Sequence, residues 1–118
     1  MSEPRETALL AACHNNHADV VELLATGADV NEPTTDGDTP LIVASQEGHT
    51  EIVTKLIAAN ADVNQADNDG WTPLSIACWN DHVDAARLLL EQCADVNRAT
   101  ESGATPLYIA CSKAHNKK

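Results

Sequence analysis

Apolar residues return at helical spacing along this chain. Ile52, Val53, Leu56 and Ile57 lie on one face of a helix, and Val83, Ala86, Leu89 and Leu90 repeat the arrangement further on. Ahead of each stretch stands a Thr-Pro pair: Thr39-Pro40, Thr72-Pro73 and, near the end, Thr105-Pro106. A Thr hydroxyl can accept one of the unpaired N–H groups at a helix start, and Pro at the first helical position loses nothing. The pattern therefore predicts a short first helix, for example Pro40 to Glu47, then a turn, then an apolar second helix. The turn falls at Asn16, Gly48, Asp81 and Ala114. Asn, Gly and Asp tolerate positive φ; Ala does not, so the last turn is expected to differ or fray.

The second helices end at Gly27, Asn60 and Cys93. Gly and Asn suit a left-handed residue after a helix. Cys93 is predicted to take positive φ all the same, at a cost of about 1 kcal/mol relative to Gly. Asp29-Val30-Asn31, Asp62-Val63-Asn64 and Asp95-Val96-Asn97 follow and read as extended steps. Hairpin-like turns ending in Gly come next: Thr35-Asp36-Gly37, Asn68-Asp69-Gly70 and Glu101-Ser102-Gly103.

These elements recur every 33 residues, which predicts a stack of identical units rather than one globular core. The 118 residues make one domain with repeats at approximately 1–33, 34–66, 67–99 and 100–118, the last truncated after its first helix. In such an array the shared positions hold the fold, so function is sought where the units disagree.

The run Gly70-Trp71-Thr72-Pro73-Leu74-Ser75-Ile76-Ala77-Cys78, with His82 and then Ala94-Asp95-Val96-Asn97, resembles the ankyrin repeat. The resemblance covers nearly the whole chain. It implies an all-α solenoid of stacked helix-turn-helix units, with β-hairpin-like loops, an L-shaped section and a concave groove. Departures from the family pattern carry expectations of their own. Many ankyrin repeats have His after Thr-Pro-Leu; here Ile42, Ser75 and Tyr108 stand there, so its bond to Thr is expected to be absent. The first unit, with Thr7-Ala8-Leu9, has no preceding hairpin. It is one residue short between Val21 and Asp29, a deletion placed after Leu24, since one inside the helix would rotate its apolar face by about 100°. Leu107 and Ile109 are expected to leave an apolar end, either covered by further chain or open to end-to-end association.

Eighteen acids against seven Lys and Arg give a net charge of −11. That charge repels phosphate backbones and disfavours nucleic acid as a partner, while it favours a basic protein or peptide. No stretch approaches the apolar length that a membrane span needs. The polar N-terminal residues lack the apolar core of a secretory signal. Four cysteines without paired spacings fit reduced thiols and an intracellular setting, cytoplasmic or nuclear.

The chain has two Trp, one Tyr and no Phe. Trp71, Trp79 and Tyr108 stand where the other units have unrelated residues, such as Asp38 opposite Trp71 and Gln46 opposite Trp79. The family resemblance places these positions on the hairpin tips and inner helix that line the groove. Trp and Tyr are good binding anchors because a rigid ring buries large apolar area at low entropy cost. With Asp38, Gln46, Glu47, Asp69 and Asn80 around them, they make a candidate surface for a segment carrying Lys or Arg. Packing of the rings along a neighbouring hairpin is the structural alternative.

Cys13/His17, Cys78/His82 and Cys111/His115 have the i, i+4 spacing of half a zinc site. All three fall at one repeat position, where Ser45/His49 stands in the fourth case, so the repeat explains them. Adjacent helices lie about 10 Å apart, too far for thiolates to share one tetrahedral ion. No zinc or other cofactor is expected. No nucleophile–base pair or Gly-rich phosphate loop supports catalysis. Two other readings are a self-assembling scaffold and a substrate of an asparaginyl hydroxylase. Asn64 and Asn97, each eight residues after a Leu, resemble sites that such an enzyme modifies in ankyrin proteins. An Asn that ties the hairpin backbone accounts for the same motif.

Overall fold

The computed structural model describes residues 29–116. It contains α1 (Pro40–Glu47), α2 (Thr50–Ala58), α3 (Pro73–Trp79), α4 (Val83–Glu91) and α5 (Pro106–Asn116). Among the described residues there is no strand. Helices α1 and α2 form one antiparallel pair, and α3 and α4 the next. Across units α1 packs on α3, α3 on α5, and α2 on α4, which makes two parallel layers of a solenoid. No helix of the described residues is long and apolar enough to cross a membrane.

The predicted caps are present. Thr39 Oγ1 accepts the N–H of Ile42 at 3.2 Å, and Thr105 Oγ1 that of Tyr108 at 3.2 Å. In the middle unit the expectation of a lost bond fails. Ser75 Oγ accepts the backbone N–H of Thr72 at 2.7 Å and lies 3.0 Å from its hydroxyl, completing a capping box. A short hydroxyl at this position reaches back to its own helix start, which neither Ile42 nor Tyr108 does.

The turns follow the repeat position by position. Gly48 has φ 73° and Asp81 φ 62°; after the second helices Asn60 has φ 72° and Cys93 φ 65°. Ala114 lies inside α5, which runs on to Asn116 with no turn at that position. Asn16, Gly27 and the deletion after Leu24 lie outside the described residues.

The Asp-Val-Asn steps are turns, not extended segments. The Asp carboxylate accepts the N–H two residues on: Asp29 from Asn31, Asp62 from Asn64 and Asp95 from Asn97, each at 2.9 Å. This Asx geometry bends the chain where an extended step was expected. The Asn then reaches the next unit, Asn31 Oδ1 to the N–H of Asp62 and Asn64 Oδ1 to that of Asp95. Neighbouring loops also join tip to tip, with Asn68 N–H donating to Asp36 O at 3.0 Å and Glu101 N–H to Asp69 O at 2.7 Å. Gly70 allows this contact, since a Cβ there would lie 2.8 Å from Glu101 N.

Leu41, Ile52, Val53, Leu56, Leu74 and Leu89 are buried between the layers. The expected stripe on α4 is corrected. Ala85 and Leu89 are buried, while Val83 is 64% and Leu90 47% exposed. Ala85 stands in the register of Ile52, and helix α4 needs only this small side chain there; Val83 is its solvent-facing first residue. The expected apolar end is also corrected. Ile109 is 3% exposed and belongs to the core, whereas Leu107 is 71% exposed.

Candidate functional site

The loops before α1, α3 and α5 are built alike, and one position in them departs in chemistry. Thr34 Oγ1 accepts the N–H groups of Asp36 and Asp38, and Thr100 Oγ1 that of Ala104. In the middle loop Asp67 does the same work with a carboxylate, whose Oδ1 accepts from Asp69 and Trp71 at 2.9 Å each. The loop closes with Asp67 N–H donating to Trp71 O at 2.9 Å. Asp67 is thus fixed beneath the Trp71 backbone.

Asp38 stands in the preceding loop, within reach of its charge. Its carboxyl is held above the ordinary aspartate value first by burial, then by the negative charges of Asp67 and Asp36. A side-chain hydrogen bond with Asp67 and the charge of Asp69 act in the same direction. Two loops therefore bring four acids near one another, and of the three others Asp67 acts most strongly on Asp38.

Trp71 is half-buried and Trp79, the last residue of α3, is 43% exposed. Their ring centroids are 6.0 Å apart with an interplanar angle of 75°, an edge-to-face pair. Register placed the two residues in separate parts of the unit; the fold brings them into contact. Tyr108 is 65% exposed on α5, at the capping-box position that Ser75 fills in the unit before.

The remaining candidates have local tasks as well. The carbonyl of Gln46 lies 3.0 Å from His82 Nε2, a bond across units. Asn80 caps α3, and its amide donates to Ile76 O at 3.0 Å. Asp69 is exposed at the loop tip, and its carbonyl accepts from Glu101. Glu47 is half-buried at the end of α1. The side-chain oxygen of Asn64 holds Asp95, while Asn97 is exposed. Asp67, one of the acids that the sequence sets around the aromatics, holds its turn by accepting from Asp69 and Trp71, a task that Thr34 and Thr100 perform in the neighbouring units.

His82 is committed to the Gln46 carbonyl, and burial pushes the Cys78 thiol upward, which opposes a thiolate ligand. Cys78, Cys93 and Cys111 are free thiols. Among the described residues no group of three or more His, Cys, Asp or Glu is placed to hold a metal ion. Cys13 and His17 lie outside them, as does the side chain of His115.

The family model described as ankyrin repeats, three copies, matches residues 1–67 and again 55–118. No curated protein matches the chain.

Proposed function

We propose that this chain, which belongs to the ankyrin-repeat family, binds a protein or peptide carrying Lys or Arg through its concave face. The family mediates protein–protein interaction in general and is typically non-catalytic. The observation that carries the reading is the Trp71–Trp79 pair. Two indoles touch at positions the units do not share, and one is 43% exposed. Trp is among the residues most enriched at the centre of binding interfaces. The acids of the same loops, Asp67 bonded to the Trp71 backbone and Asp38 in the loop before, favour a cationic partner and disfavour nucleic acid. Free thiols on Cys78, Cys93 and Cys111 agree with an intracellular setting. Affinity capture from a cell extract tests the reading. Proteins retained by the wild type are lost with the Trp71→Ala, Trp79→Ala double variant; equal retention by both removes the concave-face assignment.

A second reading has its own observation. Leu107 is 71% exposed, whereas its counterparts Leu41 and Leu74 are 1% and 2% exposed under a neighbouring unit. Such a face supports end-to-end association. The monomer is favoured, because a charge of −11 opposes stacking copies of one chain. Sedimentation separates the two: self-association predicts a mass above the monomer that falls with Leu107→Asp.

A further inference from the structure

We infer that the concave face takes an extended segment in polyproline II conformation, with a Lys or Arg and an apolar residue three positions apart. The inference rests on the reading that a basic segment binds here, and it adds the order and the spacing of the two anchors.

Trp71 and Trp79 touch, so in the middle unit a loop position and a position near the end of the first helix form one patch. One unit earlier the same two positions hold Asp38, half-buried, and Gln46, exposed. One unit later they hold Ala104 and Ser112, both half-buried. The face therefore changes chemistry from unit to unit: a carboxyl and an amide, then two indoles, then a methyl and a hydroxyl. Helix formation does not call for this change. Thr39, Thr72 and Thr105 cap the three first helices alike, whatever stands at these two positions.

Packing sets the step from one patch to the next. Helix α1 lies on α3 and α3 on α5, and packed helices stand about 8–10 Å apart. Equivalent positions of successive units are displaced by the same step. A segment that meets two units must present residues on one side at that spacing. On one side of a strand, side chains follow at about 7 Å and again at about 13 Å, and neither fits. Polyproline II turns once in three residues and rises about 9 Å in doing so. Residues i and i+3 then face the same side at the right step. Aromatic surfaces also take this backbone readily, because it is ordered before it binds.

The two patches decide which side chains stand at i and i+3. The indoles of the middle unit remove apolar surface from water. In the unit before, burial and the charges of Asp67, Asp36 and Asp69 all act on the carboxyl of Asp38 in one direction, and a positive charge placed there relieves them. Gln46 beside it adds an exposed amide oxygen, which accepts from a cation. Ala104 and Ser112 are small and supply no comparable anchor. The cation therefore lies over α1 and the apolar residue over α3.

Titration of the whole chain with the blocked peptide Gly-Ser-Lys-Pro-Pro-Leu-Ser-Gly tests this. Gly-Ser-Lys-Pro-Leu-Ser-Gly and Gly-Ser-Lys-Pro-Pro-Pro-Leu-Ser-Gly set the same anchors two and four positions apart. Indole fluorescence and backbone amide resonances report binding. The three-position peptide is expected to bind about fivefold more tightly than either of the others, since each of those seats one anchor at a time. Trp79→Ala should make the three peptides equal, and Asp38→Asn should remove the preference for lysine over acetyllysine. Equal affinity of the three spacings for wild type overturns the inference while leaving a basic-segment site standing. Tighter binding of a helical peptide with the anchors seven positions apart, about 10 Å along a helix, overturns the polyproline form. Failure of every peptide to bind also overturns the inference, and the extract capture described above then decides separately whether the face binds a protein.

Discussion

Asn64 Oδ1 accepts the backbone N–H of Asp95 at 2.7 Å, one full unit further along the chain. Asn31 holds Asp62 in the same way at 2.8 Å. These bonds join consecutive units on the loop side, where the two helical layers do not reach. Asn64→Ala should therefore cost about 1 kcal/mol in urea unfolding, since one hydrogen bond is lost at an exposed donor. Asn97 reaches no later Asp among the described residues, so Asn97→Ala should stay within about 0.5 kcal/mol of wild type. Equal losses at the two sites would mean that the cross-unit bond is not what stabilises the loop.

Gly48 is constrained twice. Its φ is 73°, and a Cβ there would lie 2.5 Å from His82 Nδ1. The displaced ring would also give up its contact with Gln46 O. Gly48→Ala should destabilise by about 2 kcal/mol or more, combining backbone strain with the lost bond. In a double-mutant cycle His82→Ala should recover part of the loss, because the clash goes with the ring.

Cys93 carries φ 65° and an exposed free thiol. Cys93→Gly should raise stability by about 1 kcal/mol, read as a higher urea midpoint with an unchanged slope. A fall instead would show that the thiol makes a contact worth more than the strain.

Asp38 gives a pH signature. Burial, and then the charges of Asp67 and Asp36, raise its carboxyl above the ordinary value of 3.8. The folded chain then holds this proton more tightly than the unfolded chain. Its contribution to stability is full below the unfolded value and is lost as pH rises through the folded one. Asp38→Asn should accordingly be more stable than wild type at neutral pH, and the difference should shrink as pH falls through the raised folded value toward 3.8 and change no further below it. Urea midpoints of the two proteins across that range check it; a difference that grows toward acid contradicts the assignment.

Much of this was legible along the chain, and the rest was hidden for identifiable reasons. The bounds of α1 followed from Thr39-Pro40 and Gly48, because caps and left-handed turns are local chemistry. Positive φ at Cys93 followed from its register with Asn60. The Asp-Val-Asn steps read as extended along the chain, whereas the Asp side chain decides a bend. Val83 and Leu90 were counted inside because helical spacing alone cannot tell how far round α4 its neighbours reach. At the site, register exposed Trp71 and Trp79 as departures, but not that they touch. Nor could it show that Asp67 bears on the carboxyl of Asp38, since that influence crosses from one loop to the next.

The central claim is that the Trp71–Trp79 pair serves binding more than folding. Urea unfolding and partner capture, measured together on the Trp71→Ala, Trp79→Ala double variant, test it most directly. An edge-to-face pair contributes about 0.5–1.5 kcal/mol beyond its buried area, and Trp79 is 43% exposed. The account predicts a helical, cooperatively folding variant, destabilised by about 2 kcal/mol at most, that no longer captures the proteins retained by wild type. An array that unfolds, or one that captures its partners undiminished, would contradict it.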